Sequence, residues 1–372
     1  MERALKDAGL SSVADVDAIA VTKGPGLEIC LRVGIRKAQE LARLHSKPLA
    51  AVHHLEAHVL VTRLLGEGYG ARPPSEVAPA RDGGDTAEWR CGRPDVKALK
   101  KGEAFQPKID FPFLALLASG GHTSILLCRG YGNYTSLGGT LDDSLGEAFD
   151  KAARLLGIHL GNSSGGAAVE RYARQASSTS AFMMKVPMRD KANCDFSYAG
   201  LKNAFRVAVV KAREDCGLDG SSNNAPAQQM QSVEAESIVS LPDNVAADLC
   251  ATFQNIAFLH VEDRIKRALT YLRDNNIPIN SLAVVGGVAA NQELRRRLAA
   301  LLDKADMRRV DGGAVELCYP PPALCTDNGV MVAWAGVEKL GRGISDSVEE
   351  LEAVARWPFG NNIADISFKS GK

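Results

Sequence analysis

The 372-residue sequence predicts an α/β protein with two lobes, each a sheet carrying helices on its faces. Three stretches carry that prediction, each an apolar strand, a glycine or histidine turn and then an amphipathic helix. They are "DAIAVTKGPG" with "RVGIRKAQELARLH", then "KPLAAVHHLEAHVLVTRLL", and far downstream "SLAVVGGVAANQELRRRLAALL".

In chain order, "MERALKDAGL" begins an amphipathic helix and has the form of neither a signal nor a transit peptide. The strand at 17–26 runs into a Gly-Pro-Gly turn, and the segment from Lys47 pairs a second strand with a histidine-bearing helix. From Gly66 to Asp110 the chain is rich in Gly, Pro and charge without hydrophobic period, which predicts a disordered insertion. "FPFLALLASGGHTSILLC" predicts two strands joined by a tight turn at Gly120 and Gly121. "DDSLGEAFDKAARLLG" is expected as a helix with acids in its first turn, and the long helix from Asp243 as one opened by an Asp-Asn cap. "GSSNNAPAQQMQSV" reads as a loose polar loop. The expected division is 1–135 for the first lobe, 136–345 for the second and 346–372 for a tail.

Composition narrows the functions. Lys plus Arg and Asp plus Glu are 44 each, so a polyanion must meet a local basic patch. Candidates are "RRR" at 295–297 and the run from Lys97 to Lys108, either of which also reads as a solvated face. Eight dispersed cysteines without a C-x-x-C pair suit a reducing compartment, and no apolar run approaches the roughly 20 residues of a membrane span.

Six stretches can carry chemistry. In "HHLEAH", a helix turning about 100° per residue brings His54 and His58 onto one face, suited to a single metal ion, and turns Glu56 away. The order H-x-E-x-H weakens a zinc-peptidase reading, and a histidine-rich surface turn is the plain alternative. "ASGGHTS" places Ser119, Gly120, Gly121 and His122 where backbone N–H groups can converge on an anion. "VVGGVAAN" ends a strand with Asn291 as either a nucleotide contact or an ordinary helix cap. Asp143, Glu147 and Asp150 form an acidic stripe, and Gly165 and Gly166 in "NSSGGAAVE" precede a helix start open to anions. Asp327 in "PPPALCTDNGVMVAWAG" is an N-cap by position, or the carboxylate that the histidine pair lacks.

"HHLEAH", "LLASGGHTS", "GEAFDKAARLLG", "NCDFSYAGLK", "VVGGVAAN" and "CTDNGVMVAWAG", in that order, closely resemble the TsaD family of tRNA threonylcarbamoyladenosine transferases. The terminal "RWPFG" is similar to that of organellar eukaryotic members. The resemblance implies an ASKHA fold of the actin and sugar-kinase kind, with the N-lobe incomplete. It also implies transfer of a threonylcarbamoyl group from threonylcarbamoyl-AMP to the N6 amine of the adenosine just 3′ of the anticodon, in tRNAs reading codons that begin with A. By the same resemblance His54, His58 and Asp327 hold one divalent metal, zinc or iron being expected. Ala118, Ser119, Gly120, Gly121 and His122 line the adenylate site, Ala118 standing where valine is usual, and Asp150, Gly166 and Asn291 contact the nucleotide. The partners it implies are tRNA and threonylcarbamoyl-AMP; a homodimer is a further expectation, and the location is mitochondrial or plastid. Members begin with a hairpin of the type "GIETSCDDT", so the chain is expected to start downstream of it. A small-molecule kinase of the same fold and a non-catalytic remnant are the competing readings.

Overall fold

The computed structural model describes residues 2–64, 109–158, 160, 164–218, 241–305 and 307–362. The expected insertion at 66–110, apart from its last two residues, and the loop at 220–233 lie outside them.

A short helix α1 (Glu2–Ala8) precedes β1 (Ile19–Gly24) and α2 (Glu28–Leu44), whose Ile35, Ala38 and Ala42 form its buried face. β2 (Leu49–His53) pairs in parallel with β1, and the chain passes directly into α3 (His54–Leu60). β3 (Phe113–Ala118), β4 (Thr123–Gly130) and β5 (Asn133–Gly139) form an antiparallel meander, with Ala118 opposite Thr123 closing the predicted hairpin. Then come α4 (Leu145–Leu156), α5 (Gly165–Ala173), α6 (Ala199–Asp215) and the 32-residue α7 (Asp243–Asp274). β6 (Ser281–Val285), α8 (Gln292–Asp303), β7 (Glu316–Cys318), α9 (Pro322–Cys325), α10 (Gly329–Leu340) and β8 (Asn361–Asn362) complete the described chain.

The strands make a two-stranded sheet, β1-β2, and a six-stranded one in the order β7-β6-β3-β4-β5-β8. The larger sheet is covered on both faces, and β3 shows why its sequence is apolar throughout. Leu114, Leu116 and Ala118 face the main core with α4, α6 and α7, while Phe113, Ala115 and Leu117 face the opposite side with Leu55 and Val59 of α3. The other side of α3 packs Ala57, Leu60 and Val61 against Met331, Trp334 and Ala335 of α10. Helix α3 is therefore wedged between the large sheet and α10. A lobe boundary at 135 cuts through β5, and α10 belongs by contact with β1, β2 and α3.

Two helix starts differ from expectation. Helix α4 begins at Leu145 behind Ser144, whose Oγ accepts from Glu147 N, so Asp142 and Asp143 stand before the helix. Helix α7 has Pro242 at its cap position, with Asp243 inside the first turn and no side-chain cap bond. Pro242 has no side-chain acceptor to offer the first-turn N–H groups, so the expected Asp-Asn cap is not made.

Candidate active site

His54 and His58 lie one turn apart on α3, their rings edge to face with centroids 4.8 Å apart. Asp327 comes from the turn before α10, and its Oδ1 is 3.0 Å from His58 Nε2 and 3.5 Å from His54 Nε2. It is free to do so because Asn328 is the cap of α10, accepting from Met331 N and donating to Leu324 O and Thr326 O. The cap reading of Asp327 is thus displaced by one residue. Burial, then the neighbouring His54, lowers the His58 pKa, which keeps this imidazole neutral and able to coordinate.

The donor set fits one divalent ion: three ligand atoms, all within 4.8 Å of one another, from two neutral-capable imidazoles and a carboxylate. Buried His58 Nδ1 has no hydrogen-bond partner among the described residues, so no second residue orients this ring.

Glu56 faces away, as the helix period requires. It is buried and accepts a 2.7 Å bond from Tyr134 on β5. A peptidase base at the metal is excluded by that placement. Burial raises the Glu56 pKa above 4.5, so its contribution to stability is fully present below that value and is lost as pH rises through the folded pKa. Glu56→Gln, which keeps an acceptor for Tyr134, is expected to leave metal content unchanged and to flatten that loss. Thermal melts of both proteins across pH measure it, and a steeper decline in the variant would contradict the assignment.

His53 is the cap of α3: its Nδ1 accepts from Leu55 N, so the proton sits on Nε2 and is donated to Trp357 O. Burial holds its pKa down to about 4. The His122 pKa is lowered by burial and then by the charge of His54.

His122 closes the glycine turn. Ser119 N donates to His122 O, and His122 N donates to Ser119 Oγ. The carbonyls of Ser119 and Gly120 are spent on the start of α4, accepting from Gly146 N and Ser144 Oγ. The N–H groups of Gly120 and Gly121 make no hydrogen bond among the described residues, which leaves two donors side by side for an anion. Ala118 is buried and contributes only backbone there.

Two glycines outside the turn make it possible. A Cβ on Gly146 would lie 2.6 Å from Ser119 O, and one on Gly286, at φ +92°, would lie 2.4 Å from Ala118 O. Gly286 thus serves first the approach of β3's end to β6. Ser144 was legible as a cap through the S-x-x-E spacing to Glu147; Gly146 had no sequence signal.

The remaining expected contacts come from α4 and from the starts of α5 and α8. Asp150 is packed against Gly165, whose Cβ would meet Asp150 Cα at 2.6 Å, so Gly165, more than Gly166, is required by helix packing. Asn291 is the cap of α8: Oδ1 accepts from Leu294 N and Nδ2 donates to Gln254, so both amide atoms are engaged within the protein. The acidic stripe is not a plain solvated face. Asp143 pairs with Lys151 at 2.8 Å and Lys202 at 2.7 Å, and Glu147 with Lys151 at 2.7 Å, while Asp142, just before the stripe, accepts from Ser197 Oγ, Tyr198 N and Ala199 N at the start of α6.

A sequence profile of the TsaD family, described as tRNA N6-adenosine threonylcarbamoyltransferase, matches residues 1–91 and 95–334. The chain belongs to this family. It is 35% identical over 374 residues to the probable mitochondrial tRNA N6-adenosine threonylcarbamoyltransferase of Arabidopsis thaliana, covering 98% of this chain and 64% of that protein. It is 37% identical over 366 residues to the enzyme of that name from Rhizobium etli, covering 97% of this chain and 78% of the relative. A third relative, from Agrobacterium fabrum, is 37% identical over 361 residues, with coverages of 96% and 77%. The chain thus spans just under two thirds of the plant relative. As a TsaD-family protein it has the ASKHA-type α/β fold, and its two sheets and wedged α3 are the parts described here.

The triple arginine fares differently. Arg295 donates to Ala289 O and lies over Tyr319, Arg296 is doubly bonded to Glu293, and Arg297 is paired with Glu262 and Asn255. All three are engaged within the fold, so replacing them by Ser is expected to cost stability and to leave the salt slope of tRNA binding unchanged; a slope reduced by about three would restore them as phosphate contacts. The run from Lys97 to Lys108 lies outside the described residues.

Proposed function

We propose that the chain transfers the threonylcarbamoyl group of threonylcarbamoyl-AMP to the N6 amine of the tRNA adenosine just 3′ of the anticodon. The observations that carry this reading are the cluster of His54, His58 and Asp327 and a glycine turn that has two uncommitted N–H groups. A divalent metal, zinc or iron, held by those three side chains would supply Lewis acidity toward the carbamoyl or threonyl oxygens. The chain's own residues do the rest of the positioning. Gly120 and Gly121 N–H receive phosphate oxygens of the adenylate and stabilise the leaving AMP, while Ser144 and Gly146 hold the turn's carbonyls away from it. Asp150, Gly166 and Asn291 are proposed at the nucleoside end, Asn291 by exchanging its bond to Gln254.

An organellar location is proposed on the mitochondrial plant relative. A homodimer is supported by an exposed apolar row at the start of α2, where Leu27, Ile29 and Val33 are 69%, 75% and 68% exposed.

The test is direct. Incubation with threonylcarbamoyl-adenylate and unmodified tRNA, followed by digestion to nucleosides and mass spectrometry, is expected to show the modified adenosine. Unchanged adenosine under saturating donor would overturn the proposal.

A further inference from the structure

Arg264, on α7, is a charge that the site does not use, and its side chain is 0% exposed. One carboxylate meets it, that of partly exposed Asp263 at 2.5 Å. The rest of the guanidinium is given to backbone. Nη1 donates to Lys191 O at 3.2 Å and Asn193 O at 2.5 Å, and Nη2 donates to Met188 O at 2.7 Å. Nη1 also reaches Asn193 Oδ1 at 3.1 Å. Apolar residues of similar volume often serve stability as well as a buried ion pair does, so the use of this one lies in what it fixes. It gathers the segment 188–193 at one point. Met188 takes φ +48°, which residues with side chains rarely adopt, and the carbonyl of that residue is one that Arg264 holds.

From there hydrogen bonds run to the glycine turn. Asn193 donates Nδ2 to Asp195 Oδ2 at 2.8 Å, and its Oδ1 accepts from Asp195 N at 3.3 Å. Asp195 Oδ1 accepts from Gly139 N at 3.1 Å, and Phe196 N donates to Gly139 O at 2.9 Å, which docks the segment on the end of β5. The next residue, Thr140, accepts from Thr123 N and donates to Thr123 O through one hydroxyl, both at 2.9 Å. Thr123 follows His122, whose N–H and carbonyl close the turn on Ser119. His260, one turn before Arg264 on α7, adds a second hold, its Nε2 accepting from Ser197 N at 3.3 Å.

We propose that Arg264 is a positioning residue for the donor: through Asn193, Asp195 and Thr140 it fixes the His122 end of the turn, and with it the direction of the Gly120 and Gly121 N–H groups. It touches no substrate. The role rests on the anion-receiving turn of the reading above. Lysine does not substitute, because an ammonium is a point charge without the planar fork that spans the carbonyls of Met188, Lys191 and Asn193.

Two readings on the full chain test this, hydrogen exchange in the segment 118–124 and AMP affinity by calorimetry. In Arg264→Lys and in Asp195→Ala, exchange in that segment should quicken about tenfold and AMP affinity should fall about fivefold. Thr140→Val cuts the last link, so adding it to Asp195→Ala should weaken AMP binding no further, as expected of residues acting in one chain. Leu272→Ala, on the same helix and fully buried, is the control. It should lower the melting temperature and leave both readings as in wild type. Unchanged readings in folded Arg264→Lys or Asp195→Ala, additive losses with Thr140→Val, or an equal response to Leu272→Ala would overturn the positioning role. Should Arg264→Lys not fold, Asp195→Ala, at a half-buried position, carries the comparison. If exchange responds as expected but wild type binds no AMP, the positioning role stands and the adenylate reading of the turn falls.

Discussion

Replacing His58 by alanine is expected to remove stoichiometric divalent metal from the protein. The proposed site offers three ligand groups among the described residues, and His58 contributes the imidazole nearest Asp327, at 3.0 Å. Without it a single imidazole on α3 remains with one exposed carboxylate, too few groups for tight binding of a d-block ion. The loss should exceed the roughly 10–100-fold that follows removal of a supporting residue. Asp327→Asn should weaken the site too, because it keeps an oxygen but removes the charge. Glu56→Gln is the control on the same helix, since Glu56 is turned to Tyr134. Metal content by mass spectrometry, with thermal melts to show that each variant is folded, decides the point. Unchanged content in His58→Ala would place the ion elsewhere.

The legible parts of this site were those governed by local periodicity. The i, i+4 spacing put His54 and His58 on one face, and the same arithmetic turned Glu56 away from them, without showing that it is buried. The hairpin at Ser119–His122 followed from two apolar runs around a glycine pair. Asp327 could be named but not placed, because its contact with His58 spans 269 positions of sequence and depends on α10 packing against α3. Asn291 offered two roles at one position, and only its bonds to Leu294 and Gln254 show that the cap is made. The start of α4 was misjudged because Asp142 and Asp143 are first-turn residue types, yet both are drawn to α6, where backbone N–H groups and Lys202 await them. Such partners are fixed by tertiary packing, which composition and spacing do not encode.

Two glycines around the turn should respond oppositely, and the contrast separates holding the turn from binding at it. Gly286 sits at φ +92°, where a side chain is strained, and its Cβ would lie 2.4 Å from Ala118 O, a backbone atom that cannot swing aside. Gly286→Val must push β3's end away from β6, so a loss of at least about 2 kcal/mol in stability is expected, with a lowered melting temperature. Gly121 is the reverse case: nothing lies within 4 Å of the position its Cβ would take. Gly121→Val should therefore melt like wild type. Yet its side chain would stand beside the N–H groups proposed to receive the adenylate, so AMP affinity should fall by more than tenfold, beyond the roughly 1 kcal/mol of a single neutral hydrogen bond. Calorimetric titration of AMP and thermal melts on the two variants read both effects. Wild-type AMP affinity in a folded Gly121→Val protein would show that the turn faces some other ligand, whereas an undisturbed melt for Gly286→Val would mean that β3 and β6 are not held as closely as the Ala118 contact requires.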